Sequence, residues 1–236
     1  MKRPTQFSEG FLSTPRTLQL WASAMVVLPV FLQAPWVHLY PISACLFTFV
    51  LLGSGFFLVH FGGDKWSRVG SLLVGVSASW LGGCLFWGWL RVHPVLHLPV
   101  EAFALPLAFV GLGTRWRIGA SFYLSCLLGA AFTDLMMLLT GVIDYWPEVV
   151  KASLLEAPQL LHESAQKLFQ LQSIFMLMIA AFSIFFIAKL MRERAILHAP
   201  SGSAWLVASA ALTTTLWVDG LFLVTAFVEP RLSGLI

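Results

Sequence analysis

Seven stretches of the chain carry almost no charge and are separated by short polar punctuation: roughly residues 18–34, 42–61, 70–90, 99–113, 118–141, 171–188 and 204–228. A bilayer core of about 30 Å is crossed by about 20 helical residues at 1.5 Å each. Lipid offers no partner to a backbone N–H or C=O, and a helix satisfies both within the segment. The pattern therefore predicts an all-α, polytopic transmembrane bundle of about seven spans, forming a single domain over 1–236. Two runs are weaker than the rest. The first contains Pro29 and is followed by Pro35, so its helix is expected to be kinked or short, with Pro35 to Pro41 as the turn into the second. The fourth, at 99–113, reaches only about 22 Å, short enough to dip in and return rather than cross.

Composition excludes the alternatives to a membrane. Hydrophobic residues make up 58% and charged residues 11%, against roughly 25% charged in a soluble domain. The 20 Phe and 10 Trp exclude a disordered chain. A net charge of +3 with no basic stripe gives no nucleic-acid surface. Cys45, Cys84 and Cys126 lie in separate apolar runs, without metal or disulfide spacing, and read as packing residues. The segment before the first run has no small-x-small cleavage site, so that span is expected to stay attached.

Positive charge orients the spans, because Lys and Arg near span ends stay cytoplasmic. Seven spans with a cytoplasmic N-terminus and an outer C-terminus put Lys2, Arg3, Arg16, Lys65, Arg68, Arg115, Arg117, Lys189, Arg192 and Arg194 inside. Only Arg91, Lys151, Lys167 and Arg231 fall outside. A re-entrant fourth run would reduce that bias. Most tryptophans lie near predicted span ends, as an interfacial belt does; Trp80 and Trp217 lie deeper.

The longest connection, 142–170, is expected outside the membrane. It carries Asp144, Glu148, Glu156 and Glu163 against Lys151 and Lys167. Val150, Leu154, Ala157, Leu161, Ala165 and Leu168 recur at three- and four-residue steps, the stripe of an amphipathic helix or of two helices broken at Pro158. Such a stripe lies on the membrane, caps the bundle or receives a partner.

Two spans have small residues at every fourth position: Ser71, Gly75, Ser79 and Gly83 in the third, and Ser121, Ser125, Gly129 and Thr133 in the fifth. Helices in lipid gain most from close backbone approach, so these are packing seams and put the third and fifth spans in contact. A solute path along the hydroxyls of Ser79 and Thr133 is the other reading.

Glu101, Asp134 and Asp219 are the informative residues. An acid at a helix centre costs about 3 kcal/mol on insertion scales, so something must compensate for three. Asp134 and Asp219 lie about 24 and 22 Å beyond the inner ends of their spans, and Glu101 enters the fourth from outside. With Arg91, His93 and His97 in the preceding loop, this predicts one polar cluster under the outer face, of Asp134, Asp219 and Glu101 with Arg91 and the two imidazoles, joined by Thr133 and Trp217. It reads as an ion or solute path, or as a buried network holding the helices together. Phe132-Thr133-Asp134-Leu135 and Trp217-Val218-Asp219-Gly220 form a short echo in two spans running the same way.

Catalytic templates such as H-E-x-x-H, G-x-S-x-G and the P-loop are absent, so an enzyme is not the favoured reading. No cofactor or metal site is expected, because His93 and His97 flank prolines in a loop and only His60 approaches a span end. Trp87-Gly88-Trp89-Leu90-Arg91, His97-Leu98-Pro99-Val100-Glu101-Ala102, Thr133-Asp134-Leu135 and Val218-Asp219-Gly220-Leu221-Phe222 together resemble a family of uncharacterised multi-pass membrane proteins of cyanobacteria, over most of the chain. The resemblance implies a plasma or thylakoid membrane, with the cluster facing periplasm or lumen, and brings no established activity. The expectation is a small ion- or solute-permease-like protein in contact with membrane lipid. The alternative is an accessory subunit of a larger, photosynthetic membrane complex, docked through the seams and the acidic loop.

Overall fold

The computed structural model describes residues 15–153, 155–197 and 201–229. The expectations resting on Lys2, Arg3, Leu154, Arg231 and the two chain ends fall outside them. Among the described residues every regular element is helical. Seven helices are long and apolar enough to cross a membrane: α1 (Arg16–Leu39), α2 (Pro41–Phe61), α3 (Trp66–Leu90), α4 (Pro94–Gly111), α5 (Arg117–Leu139), α6 (Leu171–Leu197) and α7 (Gly202–Val228).

The differences from the sequence boundaries come from prolines. α1 does not stop at residue 34. Pro29 opens a π-helical turn, Pro29–Gln33, that absorbs its missing N–H. Pro35 then sits in the first turn of the segment Ala34–Leu39, where no N–H is needed, and the chain turns only at Tyr40. α4 starts at Pro94 rather than near 99 for the same reason. Pro94 opens a 3₁₀ turn, and Pro99 falls in the first turn of the helical segment His97–Glu101.

α3 is the axis of the bundle: 67% of its apolar window is buried, against 17–22% for the other six. Its start lies against the start of α5. A Cβ added to Gly75 would run into the backbone of Gly119, and one added to Gly119 into the carbonyl of Ser71. The Gly119 N–H, too early in α5 to have an intrahelical acceptor, donates to Ser71 Oγ at 3.1 Å. Because α3 and α5 begin side by side and pack along each other, they run the same way. α4 joins the far end of one to the near end of the other, so it must traverse the bundle, and the re-entrant alternative is excluded.

α5 and α7 are also parallel. Thr133 bonds Asp219 and Gly129 faces Thr215, both pairs separated by 86 residues. The fifth-span seam at Gly129 therefore packs on α7, while α3 meets α5 through Gly119. Ser125 is buried, Ser121 half-buried, and Gly83 receives the side-chain amide of Gln33 from the π turn of α1.

The connection between α5 and α6 folds into helices Trp146–Lys151 and Ala157–Lys167. The break precedes Pro158, which sits in the first turn of the second helix. Leu161 and Ala165 are buried with Val149 and Ala226 of α7, so the apolar stripe lies on the end of the bundle. The three cysteines are free thiols.

Candidate functional site

Three acids and one imidazole meet between α4, α5 and α7. His97 and Glu101 are one helical turn apart, so the i, i+4 spacing stacks them on one face of α4. His97 Nε2 lies 3.3 Å from Glu101 Oε1. On the other side of the ring, Nδ1 lies 2.9 and 3.1 Å from the two carboxylate oxygens of Asp134. Next to Asp134 in α5, the Thr133 hydroxyl donates to Asp219 Oδ2 at 2.6 Å. Phe86 covers the His97 ring with centroids 4.5 Å apart. The side chains of His97, Glu101 and Asp134 are each about a fifth exposed.

Local structure explains why α4 bends at this point. Helical segment His97–Glu101 gives way to a 3₁₀ turn at Ala102–Ala104, and a new α segment begins at Leu105 with Pro106 in its first turn. The buried Tyr123 of α5 bridges that change of pitch. Its hydroxyl donates to the Glu101 carbonyl and accepts from the Ala104 N–H at 3.2 Å. Gly82 of α3 lets the Glu101 backbone approach, since a Cβ there would lie 3.0 Å from Glu101 Cα. Three helices, α3, α4 and α5, thus hold Glu101 in place.

The chemistry of the triad follows from its donors and acceptors. An ionised carboxylate only accepts, and a neutral imidazole has one donor and one bare lone pair. Both ring nitrogens face carboxylate oxygens, so a proton must lie on each side to keep lone pairs from opposing. Either His97 is an imidazolium between two carboxylates, or it is neutral and one of the two acids carries the proton. The two forms hold the same number of protons and interconvert by short transfers. The group thus holds two protons, one in each hydrogen bond, and a concerted shift within both bonds moves the protonated carboxyl from Asp134 to Glu101. Among the described residues no three His, Cys, Asp or Glu side chains are placed to hold a metal ion.

Three residues expected in the cluster lie elsewhere. Arg91 donates to His38 Nδ1 at 2.9 Å, and its carbonyl accepts from Trp146 Nε1 at 2.6 Å. Its guanidinium meets no carboxylate among the described residues, and His97 supplies the proton-bearing partner instead. Trp217 is 75% exposed, so it faces outward from α7 while Asp219 faces α5. His93 is exposed at the head of α4. Ser79 Oγ is buried without a hydrogen-bond partner.

Tyr123 is the member that sequence reading missed, whereas His97 was expected at the cluster but on a loop instead of a helix. Treating Pro99 as a helix breaker left His97 in a loop, although proline is at home in a first turn and the His-x-x-x-Glu spacing was visible. Nothing marked Tyr123 beyond its being one of three tyrosines.

No curated protein and no solved structure matches the chain. Glu101, His97, Asp134, Thr133 and Asp219 all fall in one continuous segment, residues 22–227, that matches the model of the family described as "Protein of unknown function (DUF3120)", and the chain belongs to that family.

Proposed function

We propose that this protein is a small permease that moves protons through the Glu101, His97 and Asp134 triad, with Asp219 as the next acceptor through Thr133. The observation that carries the reading is the placement of both His97 nitrogens on carboxylates from two different helices. A merely structural network needs one partner per nitrogen and has no use for a third intramembrane acid beside it. Ionisable groups facing a bundle interior are costly, and relays are a recurrent reason for keeping them. The surfaces that would dock the chain as an accessory subunit are already used internally: the glycine seams by α3, α5 and α7, and the loop stripe by α7. The same reading puts the Arg115 end in the cytoplasm, by the excess of Lys and Arg there.

The test is proton flux into liposomes containing the purified full chain and a trapped pH dye, driven by a potassium diffusion potential. Wild type should acidify the lumen above the empty-liposome rate. Asp134→Asn and His97→Gln should lower that flux roughly tenfold or more, with unchanged elution on size exclusion. Flux equal to empty liposomes for wild type, under both voltage and pH gradients, would sink the proposal.

A further inference from the structure

Arg91, absent from the acid cluster, stands over a different feature. Between α2 and α3 a lateral groove of about 300 Å³ opens, with Ile42, Leu46, Phe49 and Leu52 on one side and Leu81 and Trp89 on the other. Its accessible lining is entirely apolar. Even Thr48 turns its hydroxyl inward, where it is buried. The volume holds roughly ten methylene groups if each takes about 30 Å³, the volume of a water molecule.

The rim of this groove is cationic. Arg91 follows the groove residue Trp89 by two positions, and His38 precedes the groove residue Ile42 by four, across the turn at Tyr40, so the chain ties both to this end of the groove. Gly88 brings these ends together: a Cβ there would lie 3.3 Å from Val37 and 3.5 Å from Pro41. Arg91 donates to His38 Nδ1. A guanidinium has no acceptor, so Nδ1 must be the bare nitrogen and the His38 proton must sit on Nε2. The pair therefore offers the remaining guanidinium donors together with an imidazole N–H, and among the described residues no carboxylate neutralises it. A positive, donor-rich head above a dry, chain-sized groove inside a membrane-crossing pair matches one class of ligand.

We propose that the α2–α3 groove binds an anionic phospholipid, its acyl chain against Ile42, Phe49 and Trp89 and its phosphate on Arg91 and His38. This site is separate from the acid triad and stands whether or not the triad carries protons.

Native mass spectrometry of the full chain in detergent tests it, with phosphatidylglycerol and phosphatidylcholine of equal chain length as probes. Wild type should retain one phosphatidylglycerol about fivefold more tightly than phosphatidylcholine, the effect of about one near-surface charge. Arg91→Gln should remove that preference, and Arg91→Lys should keep part of it. Leu46→Trp, which fills the groove, should weaken both lipids. Arg192→Gln, at the opposite end, should change neither. Equal retention of the two lipids by wild type, or an unchanged preference in Arg91→Gln, would overturn the site. So would displacement of the bound lipid by millimolar inorganic phosphate, which would make it a phosphate site only. Should Arg91→Gln fail to fold, Arg91→Lys and Leu46→Trp decide alone.

Discussion

α5 crosses two neighbours in two different ways. Against α3 the backbones almost touch, with glycine facing glycine and a serine hydroxyl receiving one of the N–H groups that the helix start leaves free. Against α4 the contact is made by side chains: Tyr123 enters a break in the partner helix, and Asp134 takes one side of the His97 ring. The first crossing has no ionisable group and gains from close approach, which is what lipid rewards. The second interrupts a helix and fills the gap with hydrogen-bonded, ionisable side chains. Irregular backbone at membrane depth is tolerated where it is buried in protein, and here it coincides with the acids.

The largest expected effect comes from prising the first crossing apart. Gly75→Leu would drive a side chain into the Gly119 backbone, which cannot yield without separating α3 from α5. Overpacking of this kind costs about 3 kcal/mol or more where backbone must move. The variant should lose its monodisperse peak in fluorescence-detected size exclusion. Gly53 in α2 has nothing within 4 Å of an added Cβ. Gly53→Ala should therefore be neutral or raise the melting temperature, since alanine favours helix over glycine by up to about 1 kcal/mol. Equal behaviour of Gly75→Leu and Gly53→Ala would remove the close crossing from the account.

How legible this was in the sequence differs between the two crossings. The seven runs and the four-residue glycine and serine steps announced the bundle and the contact of α3 with α5, because burial in lipid and close packing are both written in residue size and polarity. Gly119 was outside the counted stripe, because which glycine meets which depends on helix rotation, and that is not periodic information. The acids were visible for the opposite reason, as residues that lipid should exclude. What connects them was not, because His97 looked displaced by Pro99, and Arg91 looked like the obvious counter-ion by proximity in sequence. Arg91 in fact follows the π turn Phe86–Leu90, which carries it toward His38.

The second crossing should break with an intermediate cost. Tyr123→Phe keeps the ring and its packing but leaves the Ala104 N–H and the Glu101 carbonyl without the hydroxyl that serves both. Leaving buried groups unsatisfied costs about 1–3 kcal/mol. The melting temperature in detergent should fall measurably while the protein still elutes as a single species. Proton flux should fall as well, since the hydroxyl sits on the backbone of Glu101. An unchanged melting temperature would mean that α4 holds its break without α5.

The smallest effects sharpen the comparison most, because one substitution should carry opposite signs at two sites. Thr48 and Thr133 are both threonines inside membrane-crossing helices, and threonine to valine exchanges a hydroxyl for a methyl of nearly the same shape. At Thr133 the hydroxyl donates to Asp219 at 2.6 Å, so Thr133→Val strands a carboxylate in apolar surroundings and should destabilise by about 1–3 kcal/mol. At Thr48 the hydroxyl is buried with no partner. Removing an unsatisfied polar group there returns part of its desolvation cost, so Thr48→Val should stabilise by about 1 kcal/mol. Paired melting curves in one detergent decide the matter. If both variants move the same way, the polar contacts of α5 with α7 have no energetic distinction from an idle hydroxyl, and the division of the bundle into a packed seam and a chemical one fails with them.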